Sequence, residues 1–319
     1  MSNYEFICTK KTLKNTLRDY GVAVILDVLD EKECEKFVSE VWDYFEFLTQ
    51  TWEVPISRDQ KSSWVGFYKL YPLHSMLIQH WGVGHAQASW NLRQNPNIVK
   101  IFAKLWDCKK KDLLVSFDGL SLNLPPEVTN RGWYRNTWYH TDQSFTDNEF
   151  KSVQSFITGL DIHEYDATFS FLEGSHLLHK EFGTHFGISV KDNWYKLTKE
   201  EEEFFISKNC IQKNIKCPKG SLVLWDSRTI HCGIEANRKR KVPNLRVVAY
   251  LCYAPRNLSS EADLRKKKKA FEELRTTTHN PSKVKLFPKH PRTYGGAIPE
   301  VTRINSPVLS KLGMKLAGY

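Results

Sequence analysis

Apolar residues recur at three- and four-residue steps from Cys34 through Phe37, Val38, Val41, Trp42 and Phe45 to Leu48, a spacing that lines one face of a helix. Asp30 followed three residues on by Glu33 matches a capping box, so the helix is predicted to begin there. A second amphipathic helix is predicted from Asn95-Pro96, with Ile98, Phe102, Leu105 and Trp106 on its buried side. Beyond residue 112 the pattern changes to short β-prone runs. These are Leu113 to Gly119, Ser221 to Trp225 after a Lys219-Gly220 turn, and Leu245 to Tyr253, the last stopped by Pro255. Trp133, Tyr134, Trp138 and Tyr139 suit a further strand leading into a pocket. The aromatic, glycine-punctuated stretch from Trp64 to Trp90 reads either as the border of a pocket or as an irregular loop packed on a sheet. The fold class predicted is mainly β with flanking helices, α+β. One domain is expected over residues 1–256, with a helical and aromatic support region, 1–112, ahead of a β-rich core, 113–256.

Composition narrows the class. The chain has 319 residues, 41% hydrophobic and 13% aromatic, enough to bury a large core and unlike a disordered protein. No signal-peptide pattern and no span-length apolar run is present, so a soluble, intracellular, cytoplasmic protein is expected, with the nucleus as an alternative. Seven cysteines without a Cys-x-x-Cys pair suggest reduced thiols, and Cys232 reads as a small core filler. Residues 256–319 hold 14 Lys and Arg against 5 Asp and Glu, so a net +9 of the chain's +10 lies in this basic C-terminal extension. Arg265-Lys266-Lys267-Lys268-Lys269 is its centre. Lys109-Lys110-Lys111 and Arg238-Lys239-Arg240-Lys241 are smaller clusters. A polyanion or nucleic acid is one partner this charge would attract; a solvated helix face and tail is the plainer reading.

The chemistry enters with His140-Thr141-Asp142 and, 89 residues after Asp142, His231. Two imidazoles and one carboxylate can hold a metal on one face and leave the opposite positions open, the two-histidine, one-carboxylate arrangement of non-haem Fe(II) oxygenases. With 11 His and 15 Asp, roughly half of one His-x-Asp is expected by chance, so context decides. His231 follows the Ser221–Trp225 strand, and Arg246 opens the returning strand. A guanidinium there is suited to grip the far carboxylate of 2-oxoglutarate through two parallel hydrogen bonds. Arg240 or Lys241 could substitute as the anchor, because the gap from His231 to Arg246 is 15 residues. His176 and His179 read as turn and supporting residues; His74, His80 and His85 read as ordinary polar packing. Asp226 and Arg228 are expected to form a local ion pair. Gln154, Ser155 and Thr158 lie on the strand after Asp142, and the sequence offers no choice among them. Motifs for nucleotide, serine-ester or zinc-protease hydrolysis are absent.

Three stretches in order, Trp138-Tyr139-His140-Thr141-Asp142-Gln143, then Thr168-Phe169-Ser170-Phe171-Leu172-Glu173-Gly174-Ser175-His176, then Gly220 through Gly233 with Leu245-Arg246, resemble the phytanoyl-CoA dioxygenase family of Fe(II)/2-oxoglutarate-dependent oxygenases. Asp19-Tyr20-Gly21-Val22-Ala23-Val24 is similar to the family's opening. The likeness runs from about Leu113 to Pro255, and Asp166-Ala167-Thr168 stands where the family tends to have Asn-Gly. The resemblance implies a double-stranded β-helix (jelly-roll, cupin-like) core, His140, Asp142 and His231 as iron ligands, and Arg246 binding 2-oxoglutarate. It implies O2 as cosubstrate, succinate and CO2 as coproducts, and hydroxylation of a C–H bond in an unidentified small molecule. The intact Asp142 favours hydroxylation over halogenation, which would need that position for chloride; desaturation and ring formation stay open. Two other readings stay open: the same chemistry on a nucleic acid or protein held by the basic tail, and a binding module that no longer turns over.

Overall fold

The computed structural model describes residues 5–73 and 76–319; His74 lies outside them. In chain order the first strands are β1 (Val22–Ile25), β2 (Leu77–Ile78), β3 (Leu113–Val115), β4 (Leu120–Asn123), β5 (His140–Thr141) and β6 (Val153–Thr158). There follow β7 (Thr168–Leu172), β8 (Tyr195–Lys196), β9 (Gln212–Asn214), β10 (Leu222–Asp226), β11 (His231–Ile234) and β12 (Arg246–Pro255). They form two antiparallel sheets, ordered β1-β10-β6-β12-β4-β2 with β3 also on β12, and β8-β5-β11-β7-β9.

Side chains alternate across the larger sheet, as strand geometry requires. Leu222 and Leu224, Val247, Ala249, Leu251 and Tyr253 face a helical layer. Val223, Trp225, Phe156 and Val248 face Phe169 and Phe171 of the smaller sheet. Helices α1 (Leu13–Tyr20), α2 (Glu31–Leu48), α3 (Gln87–Arg93) and α4 (Pro96–Leu105) belong to the outer layer. Helix α2 starts at the expected Asp30 capping box and buries Cys34, Phe37, Val41, Trp42, Phe45 and Leu48. Asn95 caps α4 by accepting the Asn97 N–H. A short α5 (Pro126–Thr129) follows β4, and α6 (His179–His185) and α7 (Lys199–Ser207) cover the outer face of the smaller sheet through Phe182 and Phe205.

In the Trp64–Trp90 stretch Trp64, Phe67, Leu70 and Trp90 are core residues, with Trp64 against Trp42 and Phe67 against Phe45 of α2. The Trp133–Tyr139 stretch makes one isolated bridge, Trp133 to Ala236, and joins a sheet ladder only at His140. Beyond β12, α8 (Glu261–Glu272) and α9 (Lys311–Leu316) pack Ala270 and Leu316 into the main core. Lys267, at the centre of the basic run, turns inward, donates to the Val115 carbonyl and stands over the Phe117 ring. Two glycines are required by close approach. A Cβ on Gly220, at φ +77°, would come within 2.3 Å of the Leu29 carbonyl oxygen; one on Gly21, at φ +74°, would come within 2.6 Å of His176 Nδ1. Thr229 Oγ1, in the turn that delivers His231, would lie 2.7 Å from the same Cβ and donates to the Gly21 carbonyl at 3.0 Å, which seats β1 against that turn.

All seven cysteines are free thiols. Cys232 is buried and burial pushes its thiol up to about 12, which fits a core filler. Among the described residues no helix is long and apolar enough to cross a membrane.

Candidate metal centre

Strand pairing brings the two histidines together. His231 of β11 lies directly opposite His140 of β5, with ring centroids 4.3 Å apart. Asp142, two residues on from His140, is fixed by its N–H to the Ser227 carbonyl at 3.1 Å, and Thr141 Oγ1 donates to the same carbonyl at 3.0 Å. Asp142 Oδ2 thereby sits 3.3 Å from His231 Nε2 and 3.7 Å from His140 Nε2. Three atoms bound about 2.1 Å from one octahedral metal at right angles stand about 3.0 Å apart, close to this spacing. The three side chains are the cluster among the described residues able to hold a metal ion.

Proton positions sharpen the fit. His231 Nδ1 lies 2.8 Å from the Thr229 carbonyl, and a carbonyl only accepts, so Nδ1 carries the hydrogen. Burial foremost, then the neighbouring His140, lowers the His231 pKa against the opposing pull of Asp142, so the ring is neutral and Nε2 is a bare lone pair. That lone pair faces a carboxylate oxygen. Burial alone would raise the Asp142 pKa; the positive charge of His279 and His140 outweighs it and holds the group well below the usual carboxylate range. A neutral imidazole and an ionised carboxylate turned toward one point are the ligand-competent forms of both groups, and a cation between them removes the repulsion of facing lone pairs.

Supporting contacts fix the three side chains. His140 stacks on Trp138, centroids 4.6 Å and planes 11° apart, and its Nδ1 faces the Trp138 carbonyl at 3.4 Å. His231 stacks on Phe169 at 5.2 Å. Gln154 Nε2 donates to Asp142 Oδ2 at 2.9 Å, whereas Ser155 bonds the Leu251 carbonyl and Thr158 the Leu160 carbonyl. Gln154 is therefore the residue that orients Asp142, a choice the sequence left undecided. Hydrogen-bond partners occupy His176 and His179: His176 Nε2 donates to the Arg18 carbonyl, and His179 bonds Asn148 Oδ1 and the Gln143 carbonyl, with burial pushing His179 down to about 4. His80 and His85 bond the Pro288 and Arg275 carbonyls. Arg228 forms the expected pair with Asp226 at 2.6 Å.

Arg246 lies deeper between the sheets, 3% exposed, with its guanidinium 5.0 Å over the Phe156 ring. Nη1 donates to Asn123 Oδ1 at 3.2 Å, and Nε has no partner. No carboxylate among the described residues pairs with it. Arg240, by contrast, is consumed by ion pairs to Glu127 and Asp166, and Asp166 also accepts the Asn244 side-chain N–H at 2.7 Å. Asp166 thus braces the turn at the position where Asn-Gly is absent. A buried cation without an anion is strongly unfavourable, so Arg246 has the character of a site awaiting one.

With this geometry in place, comparison with known proteins is informative. No protein-family model matches the chain. A Dictyostelium discoideum protein named "Putative phytanoyl-CoA dioxygenase" is 23% identical over 307 residues, covering 84% of this chain and 81% of that protein. The chain resembles phytanoyl-CoA dioxygenase-like proteins. It is also 27% identical over 213 residues to the "Ava biosynthesis cluster protein O" of Aspergillus versicolor, covering 63% of this chain and 65% of that relative's length, just under two thirds. Among solved structures, the non-haem α-ketoglutarate-dependent epimerase SnoN from nogalamycin biosynthesis superposes with a TM-score of 0.51 at 14% identity, over 77% of this chain and 83% of SnoN. At that identity the likeness speaks for the fold.

Proposed function

We propose that the protein is an Fe(II)- and 2-oxoglutarate-dependent oxygenase that hydroxylates a C–H bond of a small molecule. The observation that carries this reading is the pairing of a three-ligand cluster, His140, Asp142 and His231, with Arg246, a buried guanidinium lacking a carboxylate partner. In this reading residues 113–256 form a double-stranded β-helix, 1–112 its support, and the basic segment 257–319 packs against it. Iron at the three ligands would supply the coupling of 2-oxoglutarate oxidation by O2, yielding succinate and CO2, to hydroxylation of the substrate.

The chain's own residues do the rest. Gln154 holds the Asp142 carboxylate in one orientation, and Thr229 and Trp138 carbonyls hold the imidazoles with Nε2 facing inward. Arg246 receives the distal carboxylate of 2-oxoglutarate, which supplies the missing anion, while Phe156, Phe169 and Trp225 line a dry interior that strengthens that ion pair. A small substrate suits the basic clusters as well, since Arg240 and Lys267 spend their charge inside the fold.

The test is conversion of 2-oxoglutarate to succinate by iron-loaded protein under air, compared with Asp142→Ala. Succinate from wild type and none from the variant supports the proposal. Equal amounts from both, or none from folded, iron-loaded wild type, rejects it. Product analysis then separates hydroxylation from the epimerisation that SnoN performs.

A further inference from the structure

Strand β4 reads Leu120-Ser121-Leu122-Asn123, and its two faces differ in chemistry. Leu120 and Leu122 pack into the core under the helices, so Ser121 and Asn123 turn to the space between the sheets. Asparagine is disfavoured in strands, and a buried amide is costly unless its oxygen and its N–H groups find partners. Asn123 is 4% exposed and finds both. Its Oδ1 accepts from Arg246 Nη1 at 3.2 Å, and its Nδ2 donates to Glu235 Oε2 at 3.1 Å. A guanidinium only donates and a carboxylate only accepts, so the two partners together fix which way the amide points.

Strand register explains the first contact, because Asn123 lies directly opposite Arg246 in the ladder between β4 and β12. Glu235 reaches Asn123 from the other sheet. It follows β11, whose Cys232 and Ile234 face the helices outside the smaller sheet, so His231, Gly233 and Glu235 share the inward face. A bridge from Trp133 to Ala236, with the Tyr134 N–H donating to the Ala236 carbonyl at 2.9 Å, holds that end of the strand. One stretch of chain therefore carries His231 of the triad and, roughly 13 Å along, the carboxylate that locks Asn123. The inward position between them is Gly233, which puts no side chain there.

An amide at position 123 does what its neighbours in shape would not. An aspartate would form an ion pair with the guanidinium and use up the charge that an incoming carboxylate needs. A leucine would fill the space but leave Nη1 without this partner and Arg246 free to turn. Asparagine holds the guanidinium and leaves its charge unspent, and Nε is still without a partner.

We propose that Asn123 and Glu235 are positioning residues for the cosubstrate: Glu235 fixes the Asn123 amide, and Asn123 holds the Arg246 guanidinium in place while leaving its charge to the distal carboxylate of 2-oxoglutarate. This inference rests on the oxygenase reading and deepens it.

The test titrates full-length protein, loaded anaerobically with Fe(II), with 2-oxoglutarate and with 2-oxobutanoate, which lacks the distal carboxylate. Affinity is read from the visible charge-transfer absorption; melting temperature checks folding, and Mn(II) affinity checks the metal site. Asn123→Leu is expected to weaken 2-oxoglutarate about tenfold and to leave 2-oxobutanoate within about twofold of wild type. Asn123→Asp, of the same shape, is expected to weaken 2-oxoglutarate about a hundredfold, because it pairs with the guanidinium. Glu235→Leu, at a half-buried position, should weaken it about threefold, and Glu235→Gln, whose carbonyl still accepts, should recover most of that loss. A merely structural role would weaken both acids, or Mn(II), together. That outcome, or unchanged 2-oxoglutarate affinity in folded Asn123→Leu or Asn123→Asp, overturns the inference. Should Asn123→Leu not fold, Asn123→Asp and the two Glu235 variants decide by the same comparison. A wild-type band with 2-oxoglutarate and unchanged affinity in the variants fails the inference alone; folded, iron-loaded wild type without a band fails the oxygenase reading and the inference with it.

Discussion

Replacing Arg246 by Met separates binding from stability in a way few buried substitutions do. The guanidinium is 3% exposed, with one hydrogen bond to Asn123 and Nε unpartnered. Without 2-oxoglutarate, the variant gives up that bond and a cation–ring contact with Phe156, together about 1–2 kcal/mol, and escapes the cost of an unpaired buried charge. Methionine is flexible enough to occupy most of the vacated space. Ligand-free stability is therefore expected to stay within about 1 kcal/mol of wild type or to rise. Binding behaves differently. Two charge-assisted hydrogen bonds to a carboxylate contribute roughly 3–5 kcal/mol in total, so the Kd for 2-oxoglutarate should rise by about two to three and a half orders of magnitude. Calorimetric melting with anaerobic Fe(II), with and without 2-oxoglutarate, measures both quantities. At about 100 times its Kd the ligand stabilises wild type by about 2.7 kcal/mol, and this shift should vanish in Arg246→Met at the same concentration. An undiminished ligand shift, or a ligand-free variant destabilised by more than about 3 kcal/mol, would show that Arg246 is a structural residue and refute the reasoning.

Other consequences are as direct. Gln154→Leu removes the hydrogen bond that orients Asp142 and should lower Fe(II) or Mn(II) affinity about 10- to 100-fold in a metal titration, with the melting temperature of metal-free protein little changed. Burial pushes His85 down to about 3 and His179 to about 4, below the ordinary histidine value, so the unfolded chain binds more protons between those values and about 6.5. Their stabilising contribution is therefore full above pH 6.5 and is lost as pH falls toward 4 and then 3; urea midpoints should drop over that window, and His85→Gln should flatten the drop. Burial, with Arg93 adding, holds Lys267 well below its usual pKa, so Lys267→Met should be neutral or stabilising at pH 7 by urea titration, whereas exposed Lys266→Met should change stability by less than about 0.5 kcal/mol. A large loss in Lys267→Met would mean that the Val115 hydrogen bond outweighs the desolvation of the charge.

Where sequence reading succeeded, local signals and the fold agreed. The 3.6-residue periodicity and capping box of α2, the Asn95-Pro96 start of α4, and the apolar runs of β10 and β12 each state their own conformation. That His140, Asp142 and His231 come together was legible because a short motif and a strand-borne histidine constrain one another. Gln154 was not, because choosing it over Ser155 depends on which face of β6 turns to the triad, and that is set by pairing with β10 and β12. Lys267 lies within a run of five basic residues, and only its place on the inner face of α8 distinguishes it from its neighbours.

The central claim is that His140, Asp142 and His231 hold iron so that 2-oxoglutarate, gripped by Arg246, reaches it. The most direct measurement is the visible charge-transfer absorption of anaerobic protein with Fe(II) and 2-oxoglutarate, in wild type and Asp142→Ala. The account predicts a band in wild type that requires both additions and is absent from the variant. Folded, iron-loaded wild type without such a band, or a band that survives in Asp142→Ala, would contradict it.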